Sequence, residues 1–108
     1  MNYRPLRVAN LIRDELSQLI LRGMEFSGAL VTVTEVVVDK KLEGAAVKVS
    51  ILPSGKALDA LRALKNNEKR LQRELGRKLN IRPMPKIHFE LDRGPEKAAG
   101  VEKLLLGG

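Results

Sequence analysis

At 108 residues the chain has the length of one compact domain, with little room for a second. It has no Cys or Trp and only Tyr3, Phe26 and Phe89 as aromatics, which excludes disulfides, thiol catalysis and thiolate metal sites and requires an aliphatic core. A net charge of +7 favours a polyanionic partner, and nucleic acid over a membrane, whose interfacial helices usually carry Trp or Phe.

Residues 5–22 read as an amphipathic helix. Val8, Leu11, Ile12, Leu16, Leu19 and Ile20 recur at three- and four-residue spacing, with Pro5 suited to the first turn and Gly23 to the exit. Arg4, Arg7, Arg13, Asp14 and Glu15 interrupt the apolar positions, so this is no secretory segment, and no apolar run approaches the roughly 18 residues of a membrane span. A cytoplasmic location is expected.

The β-branched run 29–38 predicts a strand. Its alternation is broken: Val31 and Val33 share a parity with Glu35, whereas Val36 and Val38 have the other, as a bulge or two-sided burial would produce. Residues 39–44 supply a turn, and 45–52 alternate cleanly with Ala45, Val47, Val49 and Ile51 on one side, completing a hairpin. Ser54 suits an N-cap for a helical stretch over 56–79, in which Leu58, Leu61, Leu64, Leu71, Leu75 and Leu79 keep helical phase. Asn is a weak helix former that tolerates left-handed geometry, so Asn66 and Asn67 predict an interhelical kink. Asn80, Pro83 and Pro85 close the segment. Residues 85–92 form a third strand with Ile87, Phe89 and Leu91 inward. The tail from 93 to 108, with Val101 and Leu104 to Leu106, reads as a short docked helix or a loose end.

Chemistry has little to build on. His88, the single histidine, falls on the polar face of a strand with no partner to orient it as a general base. Asp39, Glu43 and Asp92 read as loop and strand-end carboxylates, no phosphate-binding loop is present, and one His with scattered carboxylates is a poor metal ligand set. No enzyme activity, cofactor, metal or small-molecule substrate is expected.

Charge, in contrast, is concentrated. Residues 56–82 hold nine basic side chains against three acidic ones, a net of +6 that accounts for nearly all of the excess. Lys69, Arg73 and Arg77 follow each other at intervals of four; at about 100° per residue they lie opposite Leu71, Leu75 and Leu79, with Arg62 and Arg70 on the same side. A solvated helix face normally mixes signs. The predicted RNA-contacting set is therefore Arg62, Lys65, Lys69, Arg70, Arg73, Arg77, Lys78 and Arg82, joined by Arg4, Arg7 and Arg13 of the first helix. Such contacts hold phosphates and do not read sequence.

Four stretches in register resemble the ribosome-binding factor A family. They are Arg4-x-x-Arg7-Val8-Ala9-x-Leu11-Ile12-Arg13-x-Glu15-Leu16, Val31-Thr32-Val33-Thr34-Glu35-Val36, Ala46-Val47-Lys48-Val49-Ser50, and Leu75 to Phe89 with Asp92, including Arg82-x-x-Pro85-x-Ile87-x-Phe89. The similarity spans about residues 3–106. It implies an α+β fold: a single KH-like (type II) domain over 1–108 in the order α-β-β-α-α-β, a three-stranded sheet packed against helices, and no Gly-x-x-Gly loop. The family typically has an Ala-x-Gly kink between its central helices; here those positions are Asn67-Glu68-Lys69, a departure from the pattern. The resemblance further implies a monomer off the ribosome that binds the small (30S) subunit and 16S rRNA during late maturation, supports 5′-end processing and helps growth in the cold. A generic KH-like RNA-binding module and a protein-binding adaptor are the alternatives.

Overall fold

A hairpin turn held by one carboxylate starts the sheet. A computed structural model describes residues 3–92 of the chain; in it the two oxygens of Asp39 accept the backbone N–H groups of Glu43 and Gly44 at 2.8 and 2.9 Å. Leu42 adopts a left-handed backbone (φ 59°) that turns its side chain into the core. The β-branched run on one side of the turn becomes β1 (Leu30–Val38), and the alternating run on the other becomes β2 (Gly44–Leu52). They pair antiparallel, from Val38 opposite Ala45 to Leu30 opposite Leu52. The register slips between Val33 and Glu35, leaving Thr34 as the extra residue. That bulge resolves the broken parity, because one extra residue brings Val31, Val33, Val36 and Val38 to a common face. The Thr34 hydroxyl donates to Asp92 Oδ2 at 2.7 Å, tying the bulge to the end of the third strand.

The remaining elements are α1 (Arg4–Gly23), a 3-10 turn (Ser54–Lys56), α2 (Ala57–Asn66), α3 (Glu68–Leu79) and β3 (Lys86–Leu91). The order α-β-β-α-α-β is the expected KH-like one. β3 lies parallel to β2, with Gly44 beside Lys86 and Val49 beside Leu91, so the sheet order is β1-β2-β3. A parallel neighbour demands a long crossover, which α2 and α3 provide. The three described helices bury their apolar stripes against one side of the sheet in a single cluster that includes Ile12, Leu16, Val47, Leu64, Leu71, Leu75 and Phe89. Gly44, Ala46, Lys48 and Ser50 of β2 alternate with buried neighbours and face away from the described helices.

Two local expectations need correction. Ser54 does not cap α2: it begins the 3-10 turn, and Lys56 occupies the N-cap position without a side-chain bond to the helix end. Leu58 is not a core residue. Ala57, Ala60 and Leu64 face inward, and at about 100° per residue Leu58 lies roughly 120° around α2 from Leu64, 67% exposed. The expectation for the tail falls outside the described residues.

β3 is an edge strand, and an open edge normally leaves a row of N–H groups unpaired. Here α3 closes it with side chains. Gln72 accepts the Ile87 N–H through Oε1 and donates to the Pro85 carbonyl through Nε2, both at 2.8 Å, while Glu68 Oε2 accepts the Phe89 N–H at 3.0 Å. Gln72→Leu strands two backbone groups beside the buried Ile87 and is expected to cost about 1–3 kcal/mol, measured as a lower midpoint in urea unfolding. An unchanged midpoint would show that water replaces the amide freely.

Candidate nucleic-acid interface

The break between α2 and α3 sets where their cations point. Asn67 makes the break: its Nδ2 donates to the Ala63 carbonyl at 2.8 Å, and its Oδ1 accepts from Arg70 Nε at 3.1 Å. Its backbone (φ −102°, ψ 5°) lies in the bridge region and not in the left-handed region. The left-handed asparagine is Asn80 (φ 47°), which ends α3. Asn66 is simply the exposed last residue of α2. Lys69, at the third position of the kink pattern, is an exposed residue in the first turn of α3, so no close approach there calls for glycine. Asn67→Ala is expected to destabilise the domain by about 1 kcal/mol through removal of both side-chain bonds, read from thermal unfolding. A gain in stability would mean that the break is set by packing alone.

The cations fall into distinct groups. Arg73 and Lys69 of α3 line a shallow groove together with Lys86 and His88 of β3 and the edge-closing Glu68 and Gln72. Arg77 and Lys78 continue α3 toward its C-terminus, and Arg62 and Lys65 stand on α2; all four are exposed. Across the molecule α1 runs antiparallel to α3: Arg70 reaches Gly23 at the end of α1, and residues 80–82 meet the first turns of α1. That arrangement brings Arg4, Arg7 and Arg82 into one concavity, rimmed by Tyr3 and Asn80. Among the described residues Arg7, Arg62, Lys65, Lys69, Arg73, Arg77, Lys78 and Arg82 make no side-chain hydrogen bond or ion pair.

Two members of the expected set differ from the others. Arg70 is half-buried, held by Asn67 and by Glu74 at 3.6 Å, so it braces the helix break and is not a free outward cation. Arg13 is exposed but lies 3.3 Å from Asp14. Lys56, also in the basic run, donates to the Ser27 carbonyl beside Gly28, whose positive φ and lack of Cβ leave room for the ammonium. Lys86 lies outside the predicted set. Its place as an outward strand residue is the only signal for it, since nothing in the sequence puts β3 beside α3.

The arrangement can hold phosphates at several separated points, and among the described residues no group of three or more His, Asp or Glu side chains could hold a metal ion. No described helix is long and apolar enough to cross a membrane.

The family model described as ribosome-binding factor A matches residues 4–105. A ribosome-binding factor A from Opitutus terrae is 36% identical over 106 residues, covering 97% of this chain and 87% of the relative. One from a Synechococcus strain is 39% identical over 104 residues, covering 92% and 74%. Among solved structures, a crystal structure of ribosome-binding factor A from Thermus thermophilus superposes with a TM-score of 0.69 at 26% identity, over 83% of this chain and 98% of that one. A homology model of Thermus thermophilus ribosome-binding factor A, fitted into the cryo-EM map of a 30S complex of that factor, matches with a TM-score of 0.66 at 29% identity, over 78% and 90%.

Proposed function

The chain belongs to the ribosome-binding factor A family, and from that premise we propose that it is a cytoplasmic assembly factor that docks as a monomer on the free small ribosomal subunit. Its contacts are with 16S rRNA phosphates, made during late maturation, and they support 5′-end processing and growth in the cold. The observation that carries this reading is a set of eight exposed Lys and Arg side chains, five of them in residues 69–82, that no carboxylate among the described residues neutralises. Uncompensated charge on a small domain costs self-repulsion, which binding to a polyanion relieves with release of counterions. The protein supplies shape and charge, and no cofactor or bond-breaking step. By binding one conformation of the maturing subunit better than others, it shifts their populations.

The test is co-sedimentation with small subunits, large subunits and assembled ribosomes across a salt series. Retention on free small subunits, weakening as salt rises, is the expected result. Equal retention on every particle would reduce the reading to a generic basic RNA binder. Binding that survives RNase and high salt would identify a protein-binding adaptor.

A further inference from the structure

The chain has three aromatic residues, and the fold buries one of them fully and another in part. Phe89 is 1% exposed at the centre of the core, and Phe26 is half-buried against it. Tyr3 is the most exposed of the three, at 61%. It is nevertheless anchored, because its carbonyl accepts the Arg7 N–H at 3.0 Å as the N-cap of α1. The concavity it rims is lined by Arg4, Arg7, Leu11, Asn80 and Arg82, and no carboxylate stands among the described residues that line it. The left-handed turn at Asn80 folds the chain after α3 back over the start of α1, which places Arg82 in the same concavity as Arg7.

From this juxtaposition we propose that the concavity between the start of α1 and residues 80–82 is a site for one unpaired nucleotide of a single-stranded RNA segment. Its base stacks on the Tyr3 ring and its flanking phosphates are held by Arg7 and Arg82. The reasoning rests on the RNA-binding reading above and extends it from phosphate contact to recognition of strandedness. A base-stacking platform set among cations is the physical design of single-strand sites. A base inside a duplex has both faces covered and offers Tyr3 nothing. A tyrosine gives up little conformational freedom on stacking, having only two side-chain torsions.

One residue makes the test direct. Because the chain has a single tyrosine, labelling its ring with carbon-13 yields NMR signals from Tyr3 alone. The full chain is titrated with a single-stranded ribo-oligonucleotide, a duplex of the same sequence, inorganic polyphosphate and an acidic peptide. Upfield movement of the Tyr3 ring signals with the single strand only is the expected result. Tyr3→Ala and Tyr3→Leu are expected to bind the single strand about tenfold more weakly, while Tyr3→Phe binds it like the unaltered chain and polyphosphate affinity stays the same in all three. If the single strand binds while the Tyr3 signals stand still, or if Tyr3→Ala binds it undiminished, the stacking site is wrong and phosphate docking elsewhere survives. If the acidic peptide moves the ring signals equally, the site is for protein. Failure of every RNA to bind would overturn this proposal and the RNA-docking reading together.

Discussion

Small-subunit binding is expected to fall about 100-fold when Arg73 and Arg77 are both changed to Glu, with the folded state intact. Each side chain is exposed, and neither has a hydrogen bond or ion pair among the described residues. Surface changes of that kind alter stability by roughly 0.5 kcal/mol or less. A phosphate contact to a charged donor is worth about 1.5 kcal/mol, so removing two accounts for the fall before any repulsion is added. The dependence on salt changes as well. Each phosphate that goes unneutralised should flatten the slope of log affinity against log salt concentration by about 0.7–0.9. Weaker binding with the original slope would point to a misfolded variant, and circular dichroism checks that separately. Unchanged binding would remove α3 from the interface and leave the concavity at α1 to carry the contact.

Phe89→Ala is expected to have the largest effect on stability. Phe89 is among the largest fully buried side chains, on the parallel edge strand where the layer of helices meets the sheet. Truncating a buried Phe costs about 3–5 kcal/mol, a large share of the roughly 5–15 kcal/mol that holds a domain together. For a domain of this size the melting temperature should drop by at least about 12 °C. The backbone remains latched through Glu68, so the loss is one of packing and not of strand pairing. A drop of only a few degrees would mean that α3 closes over the cavity.

These expectations draw on features of differing legibility in the sequence. Hydrophobic periodicity locates each α-helix and strand of the described residues to within a residue or two, since burial of an aliphatic stripe is a local property of the chain. The bulge at Thr34 is visible as a parity error, although the bond from its hydroxyl to Asp92, 58 residues away, is not. The exposure of Leu58 escapes because successive three-residue steps lag the helical turn, so that Leu58 sits roughly 120° around α2 from the buried Leu64, while Ala57 sits almost in line with it. In the candidate interface, sequence identifies which residues are cationic, but not which are already engaged: Arg70 and Lys56 hold the fold, and the partners that show it lie elsewhere in the chain or depend on the helix break. Tyr3 stands out as a stacking platform only once Phe89 is seen to be buried and Phe26 partly so.

The closed edge of β3 bears on how this chain can change over evolutionary time. Its two latches depend on a match of length between a helix and a strand. The four-residue step from Glu68 to Gln72 rises about 6 Å along α3, and the two-residue step from Ile87 to Phe89 spans about 6.6 Å along β3. Deleting or inserting one residue inside either segment rotates a helix side chain by about 100° or turns a strand residue to the opposite face, so the two latches can no longer close together. Divergence within α3 and β3 should therefore proceed by substitution. Changes in length belong elsewhere in the chain, and a shortened or lengthened α3 would have to arrive with its own means of covering the edge.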